Sequence, residues 1–172
     1  MTLNLNKIET GVESIGTGNI MEQIKKILAP TDLSELSKIG VRYALQLAKG
    51  SGAEVTVYHV VDYDTLTRYG QRSTAASHFQ PPDQQFLDRY QKALSEFLID
   101  CVIPSVNIRE KVDLGTADTS IVQLAQSEGY DLIVMSTHGK SGLRMSLGSV
   151  TQSIVQTAPC PVLSIGAQKA QK

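Results

Sequence analysis

Tryptophan is absent from this chain of 172 residues, and aromatic side chains make up only 5% of it. A surface that stacks nucleic-acid bases on aromatic rings is therefore not expected. A basic surplus is also missing, because 16 Lys and Arg stand against 17 Asp and Glu, for a net charge of −1. Dedicated nucleic-acid-binding proteins carry such a surplus, so we expect no nucleic-acid partner.

Long apolar runs are lacking as well. None approaches the roughly 20 residues that a membrane-spanning helix needs, and we expect no membrane insertion. The first 20 residues contain no apolar stretch of the kind found in secretory signals. The two cysteines, Cys101 and Cys160, are far apart in the sequence. This usage is typical of free thiols in a cytosolic protein, so we expect a cytoplasmic location.

The chain is long enough to bury the core of one domain. Residues 1–20 are polar and have no sustained periodicity, which predicts a flexible N-terminal extension. We expect the domain to occupy residues 21–168 and a short tail to occupy residues 169–172. An alternative for the N-terminus is that Met21 is the native start and the residues before it are an upstream extension.

Strands and helices are predicted to alternate from residue 24 onward. In the first predicted helix, Leu36, Ile39, Tyr43 and Leu47 recur at spacings of three and four, which places them on one face. Gly50 and Gly52 are predicted to end this helix, and Gly129 to end the third. Residues 63–82 are polar and irregular, which indicates either a functional loop or disorder. The predicted strands are 24–30, 53–62, 106–114, 130–136 and 162–165, and the helices after the first are 83–103, 118–128 and 149–157.

Strict alternation of apolar strands with helices predicts a single-domain α/β fold. Both faces of such a parallel sheet are covered by helices, and right-handed crossovers restrict its topology. We expect an open five-stranded, Rossmann-like sheet with the strand order 3-2-1-4-5. Ligands bind such folds beyond the carboxyl ends of the strands, where the strand order reverses. That point lies between the first and fourth strands.

The segments after these two strands carry unusual residues. The first strand runs into Pro30-Thr31-Asp32, and the fourth runs into a glycine-containing segment that leads to Gly148-Ser149 at a helix start. Main-chain N–H groups at a helix N-terminus suit a phosphate, and Asp32 can accept hydrogen bonds from an adenine amino group or a ribose hydroxyl. The alternative is that Asp32 only caps the first helix, as polar residues do in every α/β protein.

Several catalytic and metal-binding motifs are incomplete. Gly139-Lys140-Ser141 spells the end of a P-loop, but Val134 stands where that motif needs its first glycine. His59 and His138 could belong to the catalytic triad of a hydrolase, but the sequence contains no nucleophile-elbow motif. No paired Cys/His motif with metal-ligand spacing occurs either. We therefore expect no catalytic residue and no dedicated metal site, although Mg²⁺ would accompany a bound phosphate chain.

Four segments together resemble the universal stress protein family. They are PTDLS after the first strand, the strand VYHVVD, Gly115 after the third strand, and STHGKSGLRMSLGSVTQSIVQTAPCPVLSI. The resemblance covers roughly residues 22–166. It implies an open five-stranded α/β sheet and a homodimer paired through the fifth strand, residues 162–165. Members divide into types that bind ATP and types that do not, and the binders carry the pattern Gly-x2-Gly-x9-Gly-Ser/Thr.

The resemblance also implies which residues would surround ATP. They fall into a group at the base, a group at the ribose and a group at the phosphates, where His138 is either a phosphate neighbour or a loop-packing residue. The base group is Pro30, Thr31, Asp32 and Val60; the ribose group is Met135 and Ser136; the phosphate group is His138, Gly139, Gly148, Ser149 and Val150.

Two positions depart from the family pattern. Ser136 stands where the pattern has its first glycine, which narrows the approach beside the ribose but adds a group that can hydrogen-bond. Eight residues rather than nine separate Gly139 from Gly148. We expect a cytoplasmic, ATP-binding regulatory dimer of the stress response, with a protein partner that the sequence does not identify. The alternatives are a nucleotide-free stress protein that acts only through protein partners, and a slow ATPase.

Overall fold

The computed structural model describes residues 24–62, 84–137 and 147–166. Helices and strands alternate throughout these ranges, and every observed strand lies within its predicted range. The predictions for residues 1–20, 63–82 and 169–172 lie outside the described residues. The elements are β1 (Lys26–Pro30), α1 (Ser37–Ser51), β2 (Glu54–Val61), α2 (Gln84–Leu98), β3 (Ile108–Leu114), α3 (Ala117–Glu128), β4 (Leu132–Ser136), α4 (Ser149–Thr157) and β5 (Val162–Ile165).

The strands form one parallel sheet in the order β3-β2-β1-β4-β5. This confirms the predicted fold class and strand order. The order reverses between β1 and β4, since β2 and β3 lie on one side of β1 while β4 and β5 lie on the other. All five residues of β4 are buried, as are the last four of β1. Such continuous burial is typical of parallel strands that are covered on both faces.

The core consists of two layers, one on each face of the sheet. Because side chains alternate along a strand, Ile27 and Ala29 of β1 face one layer while Leu28 faces the other. The first layer packs β1, β2 and β4 against α1 and α2. The second layer packs the opposite face against α3 and α4, with Ile121 and Ile154 at its centre.

Helix α1 buries a different face from the apolar stripe that the sequence predicted. Tyr43 is 38% exposed, and the other three residues of the predicted stripe are only partly buried. The fully buried positions include Val41, Ala44 and Leu45, and Gly40 lies in the same buried face. A Cβ atom built on Gly40 would lie 2.6 Å from the backbone nitrogen of Ser136. The missing side chain of Gly40 lets this face of the helix approach β4 closely.

Gly52 and Gly129 end two of the helices as predicted, whereas Gly50, which was also predicted to end α1, lies within it. Gly52 follows α1 with φ of 73°, and Gly129 follows α3 with φ of 65°. Glycine adopts this left-handed conformation without the steric cost that a Cβ imposes. Both N–H groups donate to carbonyls of the preceding helical turn, at Ala48 and Ala125.

Both cysteines are free thiols. Cys101 is buried, and burial raises the pKa of the Cys160 thiol above its ordinary value. Among the described helices, none combines the length and the hydropathy needed to cross a membrane.

Candidate functional site

A cleft opens at the carboxyl ends of β1 and β4, at the point where the strand order reverses. Its volume is about 260 Å³. Every predicted site residue that falls within the described ranges lines it. His138 and Gly139 lie outside those ranges. The predicted residues that line the cleft are Pro30, Thr31, Asp32, Val60, Met135, Ser136, Gly148, Ser149 and Val150.

Five further lining residues were not predicted from the sequence. They are Ser37, Tyr58, Ala117, Ile121 and Thr151. Tyr58 could have been found, because it lies two residues before Val60 in β2 and therefore on the same face of the sheet. Thr151 lies in the first turn of α4, directly after Val150. Ala117 and Ile121 belong to the first turns of α3, whose approach to the cleft depends on tertiary packing.

The turn between β1 and α1 holds Asp32 at the cleft wall. Its Oδ1 atom accepts hydrogen bonds from the backbone N–H of Ser34 (3.0 Å) and from the Ser34 hydroxyl (2.6 Å). Leu33, between them, adopts φ of 61°, a left-handed conformation that is unusual for a bulky residue. The residue at the N-cap of α1 is Leu36, and it makes no side-chain capping bond. Asp32 therefore stabilises the turn that precedes α1.

Hydroxyl groups complete this turn. The Thr31 Oγ1 atom accepts a hydrogen bond from the N–H of Leu33 (3.0 Å) and lies 2.7 Å from the Ser37 hydroxyl. Ser37 in turn donates to the Ser34 carbonyl at 2.8 Å. Each of these bonds closes over six residues or fewer, so the polar wall of the cleft is built locally.

His59 contacts the backbone of this wall at Thr31. Its Nδ1 atom lies 2.9 Å from the Thr31 carbonyl, which can only accept, so Nδ1 carries the proton in this contact. The ring is buried and stacks on Tyr90 of α2 with 5.6 Å between ring centroids. Because His59 and Val60 are adjacent in β2, their side chains point to opposite faces of the sheet. His59 is accordingly not among the described residues that line the cleft.

Tyr58 forms part of the cleft floor and is 2% exposed. Its hydroxyl donates to the Asp113 carboxylate at 2.9 Å, and that carboxylate also pairs with Lys111 at 3.1 Å. Burial, together with the hydrogen bond to Asp113, raises the pKa of Tyr58 well above its ordinary value. The phenol is therefore protonated and acts as a fixed donor that holds the ring in place.

The N-terminus of α4 opens on the other end of the cleft. Its N-cap is Gly148, which has no side chain to cap the helix and whose N–H donates to the Thr137 carbonyl at 2.9 Å. Thr151 donates from Oγ1 to the Ser136 carbonyl at 3.2 Å. The first N–H groups of a helix lack intrahelical partners and carry the positive end of the helix dipole. The end of β4 and the start of α4 thus hold a positively polarised surface beside Ser149.

Helix α4 is also tied to α3. The Ser153 hydroxyl donates to Oδ2 of Asp118 at 2.8 Å. This hydrogen bond, aided by the N–H of Thr119, lowers the pKa of Asp118 below its ordinary value. Within residues 24–62, 84–137 and 147–166, no group of three or more His, Cys, Asp and Glu side chains is placed to hold a metal ion.

The protein is a doubly wound α/β protein. Its cleft lies where the strand order of the parallel sheet reverses, and a helix N-terminus opens on this cleft. The family model described as universal stress protein family matches residues 23–165. The chain is also 33% identical over 151 residues to universal stress protein MJ0531 of Methanocaldococcus jannaschii. This alignment covers 86% of the present chain and 85% of MJ0531. The chain belongs to the universal stress protein family.

Solved structures share the fold. The structure of MJ0577 from M. jannaschii superposes with a TM-score of 0.70 at 24% identity, covering 86% of this chain and 99% of that chain. A universal stress protein family member from Arabidopsis thaliana, solved with AMP bound, has a TM-score of 0.56 at 20% identity. That comparison covers 86% of this chain and 94% of the Arabidopsis chain.

Proposed function

We propose that this chain binds an adenine nucleotide, ATP, in the cleft between β1 and β4 and acts as a nucleotide-dependent regulator in the cytoplasm. One observation carries the proposal. Nine residues from separate segments, which the family resemblance implies as ATP contacts, all line a single cleft. The AMP-bound Arabidopsis protein has the same fold, which adds support for an adenine nucleotide.

The polarity of the cleft suits the two ends of a nucleotide. Asp32 offers carboxylate oxygens at the β1 end, where an adenine amino group or a sugar hydroxyl can donate to them. Apolar side chains of Val60, Met135 and Ile121 provide the walls that a base needs. The N-terminus of α4 lies at the far end, where its N–H groups favour phosphate oxygens. The one carboxylate that lines the described cleft belongs to the turn after β1, whereas the helix N-terminus belongs to the segment after β4.

The test of this function is calorimetry with ATP, ADP and adenosine, using the wild type and an Asp32→Ala variant. We expect Asp32→Ala to weaken ATP binding by about 1–3 kcal/mol, because donors on the ligand lose their acceptor. Asp88→Ala is the matched control, since it removes an exposed carboxylate on α2, away from the cleft. ATP should bind at least about tenfold tighter than adenosine if α4 holds the phosphates, a difference of roughly 1.4 kcal/mol.

Two results would contradict the proposal. Unchanged affinity in Asp32→Ala, combined with a lower melting temperature, would mean that Asp32 serves only the turn. No binding of any of the three ligands to the wild type would favour a stress protein that acts without nucleotide, through protein partners alone.

We also propose that two copies of the chain pair through β5. The sheet has two edge strands, β3 and β5. Strand β3 carries Arg109, Glu110, Lys111 and Asp113, and charges of this kind discourage edge pairing. Strand β5 is short and mainly apolar, and its Leu163 is 37% exposed. Pairing two such edges about a two-fold axis would satisfy the unpaired backbone groups of both.

The described part of the cleft gives little support to fast hydrolysis. A general base must lie within hydrogen-bond reach of the attacking water. Asp32 is the only carboxylate among the described lining residues, and its Oδ1 atom is engaged by Ser34. No histidine lines the described cleft. Binding rather than turnover is therefore the proposed activity.

A further inference from the structure

The hydrogen-bond ladder between β1 and β2 stops one bond short of its full length. In a parallel ladder, a residue of one strand donates its N–H to a carbonyl of the next strand, and its own carbonyl accepts from the residue two positions further along that strand. Thr31, which follows β1, makes the first of these bonds, since its N–H donates to the Tyr58 carbonyl at 2.9 Å. The second bond would run from the Val60 N–H to the Thr31 carbonyl, and these two described residues do not form it.

The Val60 N–H nevertheless points towards β1, because successive N–H groups along a strand point to its two neighbours in turn. At the start of β2, Glu54 donates to the Lys25 carbonyl on the β1 side. The next residue, Val55, donates to the Asn107 carbonyl on the β3 side. Val60 follows Glu54 by an even number of residues and so faces β1, where its N–H has no partner among the residues that the structure describes. Backbone N–H groups in a fold are normally paired, and Val60 lines the cleft, so this donor is available to a ligand there.

The imidazole of His59 replaces the missing bond at the Thr31 carbonyl. Its Nδ1–H donates to this carbonyl at 2.9 Å. The ring lies on the α2 face of the sheet, where His59 is 6% exposed and stacks on Tyr90. The Thr31 carbonyl is therefore paired without the Val60 N–H.

We propose that His59 is a positioning residue for nucleotide binding, because its bond to the Thr31 carbonyl keeps the Val60 N–H available for an acceptor atom of the base. This inference rests on the proposed nucleotide function. Adenine carries ring nitrogens that accept hydrogen bonds. Without the His59 donor, the Thr31 carbonyl would need another partner. The ladder geometry supplies the Val60 N–H, and that bond would use up the donor that the base needs.

The experiment separates the donor of His59 from its ring. His59→Phe keeps a ring that can stack on Tyr90 but has no donor, whereas His59→Asn has an amide N–H at about the position of Nδ1 and no ring. We expect His59→Phe to bind both ATP and adenosine about three- to tenfold more weakly than the wild type in calorimetry, as the loss of one hydrogen bond allows. Both ligands should lose the same factor, since they share the base. His59→Asn should bind each of them within about twofold of the wild type.

Amide hydrogen exchange followed by NMR tests the ladder directly, without nucleotide. In the wild type, the Val60 amide should exchange faster than the Thr31 amide, which is bonded to Tyr58. In His59→Phe, the Val60 amide should exchange more slowly than in the wild type. A merely structural role of His59 would lower the melting temperature and would not protect this one amide.

Three results would overturn the inference. They are wild-type affinity in His59→Phe, binding by His59→Asn as weak as that of His59→Phe, and a Val60 amide as protected as that of Thr31 in the nucleotide-free wild type. If His59→Phe does not fold, the affinity of His59→Asn and the exchange rates of the wild type still decide. If the wild type binds neither ligand, the proposed function fails and this inference fails with it, whereas binding that does not depend on the His59 donor refutes this inference alone.

Discussion

Replacing Gly40 of helix α1 with alanine should destabilise the protein. Gly50, the other glycine of the same helix, provides the matched comparison. A Cβ atom at position 40 would lie 2.6 Å from the backbone nitrogen of Ser136 and 2.7 Å from the carbonyl carbon of Met135. Both contacts are with backbone atoms of β4, which cannot rotate away as a side chain can. At Gly50, no heavy atom lies within 4 Å of the corresponding position.

The magnitudes follow from two opposing effects. Replacing a helical glycine with alanine favours the helix by about 0.5–1 kcal/mol at either position. At Gly40, α1 and β4 must also separate by several tenths of an ångström, and overpacking of this kind costs about 1–3 kcal/mol. The net expectation for Gly40→Ala is a loss of about 0.5–2 kcal/mol in the free energy of unfolding. Gly50→Ala should gain up to about 1 kcal/mol, less if the helix end frays.

Thermal unfolding of both variants tests this reasoning. For a chain of this size, 1 kcal/mol corresponds to roughly 2–4 °C in melting temperature. Gly40→Ala should therefore melt below the wild type and Gly50→Ala at or above it. The displaced backbone belongs to two cleft residues, so Gly40→Ala should also weaken nucleotide binding while Gly50→Ala leaves it unchanged. A Gly40→Ala variant as stable as Gly50→Ala would refute the proposed close contact between α1 and β4.

Three further predictions follow from the structure. The wild type should show a dimeric mass by light scattering at micromolar concentration, and Leu163→Lys should shift this mass towards monomer or aggregate. Ile99→Lys is the control, because Ile99 is 72% exposed and lies outside β5, so this variant should keep the wild-type mass. A monomeric wild type would rule out β5 pairing. Ser153→Ala should raise the pKa of Asp118 towards its ordinary value, as followed by NMR titration. Because the pKa of Asp118 is lowered in the folded state, the ionised carboxylate stabilises the fold fully above its unfolded pKa of about 3.9, and this stabilisation is lost as the pH falls through the folded pKa. The difference in unfolding free energy between the wild type and Ser153→Ala should therefore narrow on acidification. A difference that does not change with pH would contradict this. ATP turnover should stay below about 1 per second, and faster turnover that disappears in a Gly139→Val variant would establish an enzyme.

Much of the cleft could be predicted because parallel strands end at a common edge of the sheet. Once the order of the strands was inferred, the residues that follow β1 and β4 had to meet, and Asp32, Ser136 and Ser149 do line one cleft. The strand predictions succeeded for a related reason. Strands buried on both faces have near-continuous apolar sequences, which stand out clearly between polar turns.

The remaining features, one tertiary and one local, are not signalled by the pattern of residue types. The apolar stripe through Tyr43 is regular, yet α1 buries the face of Gly40, Val41 and Leu45, where β4 passes close to Gly40. Leu33 has a left-handed backbone conformation without the glycine or asparagine that usually signals one. Its conformation is imposed by the side chains of Thr31 and Asp32, which bond to the turn on either side of it.

The hydrogen bond between Gly148 and Thr137 has a consequence for how this family can diversify. Thr137 also donates its N–H to the Ile165 carbonyl of β5, which fixes Thr137 to the sheet. Gly148 is fixed in turn by its own hydrogen bond to Thr137. The two ends of the intervening chain are thus set by the fold, whatever the number of residues between them. Closing a loop costs only about 0.6 kcal/mol more for each doubling of its length. We therefore expect a change in the length of this segment to leave the register of β4 and the start of α4 in place, so that a peptide grafted here would alter the entrance of the cleft without unfolding the domain.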